Sequence, residues 1–365
     1  MRKPIAMLLA GVVAFGLTAC GGSSNPPATS TTAEAKTEAA GETAKTETAA
    51  ATGEDYGSYN WNCAMTVAET TTNYKMAEKF AQLLEEKSGG TVTLTLYPGG
   101  QLGNTTEQTE ATVGGSIDFC TGMTTDLTDF VPEMGLFDMP NIFDDVDHMR
   151  SFLGSEYAKT TIQGYCEEKG IHMLAFSDAG FRQLTTNKPV STLDDLKGQK
   201  IRTMTNNYHI AYWNALGASA TPMQFTEVFM GLQQNTIDGE ENPYMNIVGN
   251  NIQEVQKYVV ETNHLGHIIT FFMNNDLYQG LPENTKALID ECALEAQEYA
   301  KTVANAEIEA DKQVCIDAGL EIVQLSDTDL ATIREKAQVV YDMVKSDLGD
   351  DKVQALMDAV DAARA

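Results

Sequence analysis

Basic residues are scarce in this chain. It has 24 lysines and arginines against 52 aspartates and glutamates, which gives a formal net charge of −28 at pH 7. Such an excess opposes binding to nucleic acid and to anionic lipid surfaces, because both carry charge of the same sign. Screening limits this repulsion to a range of about 8–10 Å, so single arginines inside a pocket still decide whether a small anion binds there.

Cysteine usage argues against a disulfide framework. Beyond residue 20 the cysteines form an odd set without a C-x-x-C pair: Cys63, Cys120, Cys166, Cys292 and Cys315. Disulfide-stabilised secreted domains are short and carry an even number of cysteines. We therefore expect these thiols to act as small, buried apolar side chains.

Motifs of catalysis and cofactor binding are also missing. The sequence contains no G-x-S-x-G, no G-x-x-x-x-G-K-[ST] and no dinucleotide-binding fingerprint. His264 and His267 form an H-x-x-H pair, but a zinc site needs further ligands and a helical context that is not evident here. These absences favour a protein that is not an enzyme and that binds no cofactor or metal.

The N-terminal residues are typical of an exported, lipid-anchored protein. Two basic residues precede an apolar run from Ile5 to Leu17, which is too short to span a bilayer and has the pattern of a secretory signal. Cys20 follows small residues as in a lipoprotein signal, so we expect residues 1–19 to be removed and Cys20 to be acylated, as with palmitate. An ordinary signal with a chance cysteine is the alternative. Residues 20–57 are expected to form a disordered tether, since almost nothing in them is apolar and larger than alanine.

From residue 58 onward, the apolar pattern predicts alternating strands and helices. The expected strands are 62–68, 92–97, 117–121, 171–177, 181–186, 200–203, 218–221, 258–261 and 268–274. The expected helices in the first half are 74–88, 104–113 and 146–169, the last interrupted near Gly154. A β-α-β-α-β order implies parallel strands, and ligands in such sheets lie beyond the carboxyl ends of the strands. The strand at 268–274 fits the first domain better than the second.

One long helix is predicted near the C-terminus. Residues 283–318 contain no glycine or proline. At 1.5 Å per residue this helix would be about 54 Å long, which exceeds the width of one domain. We therefore expect it to span both domains, with further helices at 326–347 and 350–364 packing on the second domain.

Two arginines, Arg182 and Arg202, stand on short strand-like runs. A guanidinium at the end of a strand presents a planar set of donors that matches a carboxylate. Each arginine also has a structural alternative. Arg202 could pair with Glu241 or Asp238, and Arg182 with one of the nearby aspartates: Asp178, Asp194 or Asp195.

Asn242 and Phe225 have comparable alternatives. The amide of Asn242, which precedes a proline, could donate to a ligand carboxylate or cap the helix that follows. Phe225 could form an apolar wall of the site or belong to the core.

Four ordered motifs resemble the DctP family, the extracytoplasmic solute-binding subunits of tripartite ATP-independent (TRAP) transporters. They are G-F-R-Q-L-T-T from Gly180, K-G-Q-K-I-R from Lys197, L-G-A-S-A-T-P-M-Q-F-T-E-V from Leu216, and L-Q-Q-N-T-I-D-G-E-E-N-P from Leu232. The resemblance covers nearly everything after about residue 62. Two positions depart from the family pattern: Glu240 stands where glutamine is usual, and Met123 where many relatives have a polar residue.

The resemblance implies an α/β fold in which two domains close like a clamp, with mixed or parallel sheets and a long helix spanning both. We place domain I at 58–179 plus 269–307 and domain II at 180–268 plus 308–365. The implied anchor of the ligand carboxylate is Arg202, supported by Arg182. The full set of expected ligand-binding residues is Thr66, Met123, Arg182, Arg202, Thr205, Phe225, Glu241 and Asn242.

The implied function is capture of a small organic-acid anion, a sugar acid or a dicarboxylate-like molecule, and its delivery to the TRAP membrane subunits. We expect a monomer on the outer face of the cell membrane or in the periplasm. A ligand-sensing adaptor for a receptor and a secreted lyase or hydrolase acting on sugar acids are the alternatives.

Overall fold

A computed structural model describes residues 54–364 of the chain. The expected signal peptide, Cys20 and the tether up to residue 53 lie outside the described residues. Two β-sheets and their surrounding helices make up the described part. None of the helices in this range combines the length and the hydropathy that a bilayer span requires.

The strands of the described residues fall into a five-stranded and a six-stranded sheet. In chain order they are β1 Tyr59–Ala64, β2 Val92–Tyr97, β3 Phe119–Met123, β4 Ile171–Phe181, β5 Gln183–Thr186, β6 Lys200–Thr203, β7 Ser219–Pro222, β8 Gly239–Asn242, β9 Tyr258–Val260, β10 Gly266–Asn274 and β11 Glu321–Val323. The spatial orders are β2-β1-β3-β10-β4 in the first sheet and β11-β9-β5-β8-β6-β7 in the second.

Helices connect and cover these strands. They are α1 Thr72–Lys87, α2 Thr105–Val113, α3 Val146–Leu153, α4 Gln163–Glu167, α5 Asn207–Ala215, α6 Val228–Gln233, α7 Tyr244–Gly249, α8 Asn275–Gln279, α9 Glu283–Asp317, α10 Asp327–Lys336, α11 Gln338–Leu348 and α12 Asp350–Ala362. The predicted interruption near Gly154 is confirmed, because α3 ends before it and a π-helical segment precedes α4.

The first sheet contains the predicted β-α-β-α-β unit. Strand β1 pairs in parallel with β2 and β3, while β10 runs antiparallel between β3 and β4. The prediction that residues 268–274 join the first sheet is therefore confirmed. Phe80, Phe119 and Phe271 pack together in its core, with ring centroids 4.9 and 5.9 Å from Phe271.

Four of the first sheet's five strands have different bounds from those predicted: β4 ends four residues later, at Phe181, β10 begins two residues earlier, at Gly266, and β1 and β3 also differ. Strand β1 ends at Ala64, because the Gly100 and Gly99 N–H groups donate to the carbonyls of Met65 and Val67 and bend the chain away from the sheet. Strand β3 begins and ends two residues later than expected. Helix α2 begins where predicted, because Asn104 and Glu107 form a reciprocal capping box at its first turn.

The second sheet includes two strands that the sequence did not predict, β8 and β11. Strand β8 has the sequence Gly-Glu-Glu-Asn, which has low intrinsic strand propensity. It is nevertheless fully buried, antiparallel to β5 and parallel to β6. Its strand conformation depends on these neighbours, which a local sequence pattern does not contain.

The long helix α9 contacts elements of both sheets, as expected. Its buried face carries small residues, among them Ala296, Ala300 and Ala304, and it packs on α1 and on strand β4 of the first sheet. It also packs on α7, which follows β8 of the second sheet, and its Cys315 lies in the core beneath that helix. Small side chains allow this close approach of α9 to its neighbours.

The C-terminal helices differ from the prediction. Residues 326–347 form two helices, α10 and α11, separated at Ala337. Helix α11 packs on α5, which follows β6 of the second sheet. Helix α12 packs on α3, which precedes β4 of the first sheet. Because α12 also packs on α11, it contacts helices beside both sheets, and its assignment to the second domain stays a prediction.

Replacement of Ala300 by leucine tests the close packing of α9. Ala300 is 0 % exposed and belongs to the first sheet's core. Three added carbons in a filled core force neighbouring groups apart, so we expect Ala300→Leu to lower the free energy of unfolding by about 1–3 kcal/mol. Urea denaturation followed by circular dichroism measures this loss.

The matched control is Ala310→Leu, on the exposed side of the same helix. A surface substitution of this kind should change the stability by no more than about 0.5 kcal/mol. Equal effects of the two substitutions would contradict the packing assigned to α9.

Candidate functional site

A cavity lies where the two sheets face each other. Its walls come from the carboxyl ends of strands in both sheets: Thr66 follows β1, Met123 ends β3, Met204 follows β6 and Asn242 ends β8. Strand β1 is parallel to β3, and β6 is parallel to β8, so the carboxyl ends of each pair meet at one edge of its sheet. Parallel topology therefore places loops from distant parts of the sequence around a single cavity.

Seven of the eight expected ligand-binding residues line this cavity. They are Thr66, Met123, Arg182, Arg202, Thr205, Phe225 and Asn242. Glu241 does not line it; its side chain lies behind the cavity wall and is 0 % exposed. The strand alternation of β8 explains this difference, since neighbouring residues of a strand point to opposite faces.

Arg202 is a buried cation that forms no ion pair with the described residues. Its Nε and Nη2 donate to the carbonyl oxygen of Met223 over 2.9 and 2.7 Å, and its guanidinium lies 5.7 Å from the ring centroid of Phe225. Burial lowers its pKa to about 10, against the opposing effect of Glu241 and Glu240. The expected alternatives, a salt bridge to Glu241 or Asp238, are both wrong: Asp238 pairs with Lys188. Nη1 of Arg202 donates to no acceptor within the described range.

Arg182 has the opposite character, because a carboxylate already occupies its guanidinium. Nε and Nη2 donate to the two carboxylate oxygens of Glu241 over 2.5 and 3.0 Å. Nη1 donates to Nδ1 of His267 over 2.8 Å. The three aspartates proposed as partners from the sequence were wrong, since the partner is 59 residues away along the chain.

The position of Arg182 joins the two sheets. It is the single residue between β4 and β5, and its N–H donates to the carbonyl of Leu265 just before β10. The chain passes between the sheets from β4 to β5 and from β9 to β10, and these two connections are hydrogen-bonded to each other at Arg182. Its side chain then links β8 of the second sheet, through Glu241, to β10 of the first, through His267.

Glu241 is surrounded by donors. In addition to Arg182, two histidines contact its carboxylate. His264 Nε2 lies 3.1 Å from Oε2, and His209 Nδ1 lies 3.6 Å from Oε1. Burial alone would raise the pKa of Glu241, but Arg182 above all, with His209 and His264, holds that pKa well below its usual range. The carboxylate therefore stays ionised inside the protein.

His209 bridges Glu241 to a second buried acid, Asp138. Its Nε2 lies 3.2 Å from Asp138 Oδ1, and Asn206 donates to Oδ2 of the same carboxylate over 3.0 Å. Burial disfavours the protonated imidazole, but the two carboxylates outweigh burial and raise the pKa of His209 to about 9. In contrast, burial and Arg182 lower the pKa of His267 far below its usual value, so this imidazole is neutral and accepts a hydrogen bond.

Asn242 and Glu240 are connected behind the cavity. Asn242 Nδ2 donates to Glu240, and its Oδ1 accepts from Asn246 Nδ2 over 3.1 Å. Glu240 also accepts from Thr185 over 2.8 Å and is 0 % exposed, so it neither faces solvent nor lines the cavity. Burial raises its pKa. The carboxylate of Glu240 therefore supports the amide of Asn242.

Several cavity-lining residues were missed from the sequence: Asn73, Asp126, Asn246 and His267. Asn73 lies in the first turn of α1, and Asp126 lies in the short 3₁₀ helix after β3. The rule that ligands lie beyond strand ends could have indicated Asp126, which follows β3 by three residues. Asn246 lies within a helix, where a local pattern gives no such signal.

The described residues contain no group of three or more His, Cys, Asp or Glu side chains arranged to hold a metal ion. The H-x-x-H histidines serve other partners: His264 contacts Glu241 and Thr262, and His267 accepts from Arg182. The five cysteines from Cys63 onward are free and buried, as predicted.

Comparison with known proteins agrees with this architecture. Residues 63–347 match the family model DctP, described as bacterial extracellular solute-binding protein, family 7. The C4-dicarboxylate-binding periplasmic protein DctP of Rhodobacter capsulatus is 32% identical over 297 residues, which cover 80% of this chain and 87% of that protein. The 2,3-diketo-L-gulonate-binding periplasmic protein YiaO of Escherichia coli is 33% identical over 262 residues, 70% of this chain and 78% of that protein.

A solved structure shows the same fold. The sugar acid binding protein DctPAm of Advenella mimigardefordensis, determined with galactonate, superimposes with a TM-score of 0.81 at 26% identity and covers 85% of this chain and 100% of that one. Members of this family bind solutes and are not enzymes, which removes the lyase or hydrolase alternative. The chain belongs to the DctP family of bacterial extracellular solute-binding proteins, the binding subunits of TRAP transporters.

Proposed function

We propose that the chain captures a small organic acid in the cavity between its two sheets, with Arg202 as the anchor of the ligand carboxylate. One observation carries this proposal: Arg202 is 3 % exposed, lines the cavity and has no ion pair among the described residues. A buried charge is costly unless a counterion accompanies it. A ligand carboxylate supplies that counterion.

The surroundings of Arg202 favour a planar anion. The Met223 carbonyl fixes the guanidinium through Nε and Nη2, so it is held in place before the ligand arrives. Nη1 remains available for a charge-assisted hydrogen bond, and Phe225 covers the guanidinium face. A preorganised donor of this kind loses little entropy on binding.

The named ligands of relatives support an acid as ligand. The Rhodobacter relative is named for C4-dicarboxylates, and the Advenella structure contains galactonate. Both ligand types carry a carboxylate. The feature that they share is the one that Arg202 recognises.

The other expected ligand residues take supporting roles in this proposal. Thr66 and Met123 approach the ligand from the first sheet, and Thr205, Phe225 and Asn242 approach it from the second. Arg182 contributes positive potential to the cavity, while Glu241 holds its guanidinium in place.

We also propose that the two sheets mark two lobes, with the domain bounds given above, that close on the ligand about the connections at Arg182 and Leu265. A ligand that touches both walls stabilises the closed form over the open form. The lobes would act as a monomer, tethered through acylated Cys20 outside the cytoplasm, and would deliver the acid to the TRAP membrane subunits.

Substitution of Arg202 tests the anchor. The mature chain with Cys20→Ser, which prevents acylation, is screened by thermal shift against organic acids and neutral sugars. A ligand at 100 times its dissociation constant adds about 2.7 kcal/mol of stability. We expect one class of acid to raise the melting temperature, and Arg202→Ala to weaken its binding at least ~30-fold, because a desolvated charge pair contributes about 2 kcal/mol or more.

The control for this experiment is Arg334→Ala, an exposed arginine on α10. It should bind the acid as the unmodified chain does. Binding of neutral sugars by both the unmodified chain and Arg202→Ala would instead show that Arg202 is structural and that the ligand is not an acid.

Substitution of Glu241 tests the division of roles between the arginines. Glu241→Gln leaves Arg182 buried without a counterion, so we expect the free energy of unfolding to fall by about 3–5 kcal/mol. Glu335→Gln, at an exposed position of α10, should have no measurable effect. Urea denaturation measures both. If Glu241→Gln leaves the stability unchanged but abolishes binding of the acid, Glu241 is a ligand-binding residue and not a structural one.

A further inference from the structure

We propose that the ligand is a monocarboxylate carrying several hydroxyl groups, a sugar acid, and not a dicarboxylate. This inference rests on the proposed function and narrows it. The residues that line the cavity include one buried cation without an ion pair and three acceptor atoms that take no hydrogen bond from the described residues: Asp126 Oδ1, Asn73 Oδ1 and Asn246 Oδ1. The named ligands of relatives include both classes, so the side chains of this cavity have to distinguish them.

The cavity offers a full positive charge to only one carboxylate. Arg202 has no ion pair in the described part of the chain, whereas both carboxylate oxygens of Glu241 already accept from Arg182. His267 is neutral, because its Nδ1 accepts from Arg182. No lysine of the described residues lines the cavity. A second ligand carboxylate therefore has no cation of its own.

Two amide oxygens among the lining residues lack donors. Asn73 Nδ2 donates to Thr121 Oγ1 and to the Gly122 carbonyl, which fixes the orientation of the amide. Asn246 Nδ2 donates to Asn242 Oδ1. In both residues the Oδ1 atom is buried and accepts no hydrogen bond within the described range. A buried acceptor without a donor is unfavourable, so a ligand hydroxyl that reaches either oxygen would provide the missing donor.

Asp126 is a third acceptor; burial raises its pKa to about 6, so its carboxylate is mostly ionised at pH 7. Its Oδ2 accepts from the Met123 N–H over 2.9 Å, and its Oδ1 accepts nothing from the described residues. Asp129, which also lines the cavity, adds a second acidic group. A ligand carboxylate placed beside them meets like charge, whereas a hydroxyl donates to them.

Threonines complete this polar wall. Thr66, Thr105 and Thr125 line the cavity. The hydroxyls of Thr66 and Thr105 can both donate and accept, whereas that of Thr125 already donates to Asp138 and can only accept. Thr66 and Thr105 lie 3.5 Å apart, a long contact that a ligand hydroxyl can replace. Such groups suit the alternating donors and acceptors of a polyhydroxylated chain. The methylene groups of a simple dicarboxylate leave them unpaired.

Calorimetric titration of the mature Cys20→Ser chain tests the inference. The probes are galactonate, glucuronate, succinate and hexanoate. They distinguish the effect of hydroxyl groups on affinity from the effects of the number of carboxylates and the number of carbon atoms. We expect at least one of the two sugar acids to bind at least tenfold more tightly than succinate and hexanoate. Tighter binding of succinate, or equal binding of hexanoate, would overturn the inference.

Asp126→Asn tests the acceptor directly. The amide keeps the shape but loses the charge and one acceptor, so sugar-acid affinity should fall about tenfold while succinate affinity stays the same or rises. Asp147→Asn, on the exposed face of α3, should change neither. A thermal melt without ligand checks that both variants fold. Unchanged sugar-acid affinity in folded Asp126→Asn would also overturn the inference.

The outcomes separate this inference from the proposed function. If succinate binds tightly and Arg202→Ala abolishes its binding, the acid-binding function stands and the sugar-acid class is wrong. If none of the four acids binds and a wider acid panel gives no thermal shift, the acid-binding function is overturned together with the inference.

Discussion

The ion pair between Arg182 and Glu241 is the interaction on which the site depends. Both side chains are almost completely buried, and the pair lies where β4 passes into β5. Charges removed from water in this way are tolerated only with excellent geometry and additional hydrogen bonds. Here His209, His264 and His267 supply those bonds. The network holds the floor of the cavity rigid and links strands of both sheets.

This arrangement gives the two arginines different surroundings. Because Glu241 pairs with Arg182, Arg202 is the one of the two that has no ion pair among the described residues. A chain with a net charge of −28 can therefore bind an anion: the local field of one desolvated guanidinium acts at contact distance, where the screened charges of the surface contribute little. In the binding mode proposed above, selectivity comes from acceptors among the lining residues, chiefly Asp126 and the amides of Asn73 and Asn246.

The sequence predicted most of the elements but not how they meet. Amphipathic spacing indicated α1, and freedom from glycine and proline indicated α9, since both signals are local. Strand β8 escaped prediction, because Gly-Glu-Glu-Asn becomes a strand only between β5 and β6. The partner of Arg182 was misassigned to nearby aspartates for the same reason, because the actual partner, Glu241, lies on that unpredicted strand.

The sequence by itself determined the alternation of strands and helices, the position of two arginines at strand ends and the family to which the motifs point. These features depend on residues that are neighbours along the chain. Only the tertiary structure decided which arginine is paired and which is free, and that Glu240 and Glu241 lie behind the cavity wall. Long-range strand pairing sets those contacts, because it brings β4, β5, β8 and β10 together across more than 80 residues of sequence.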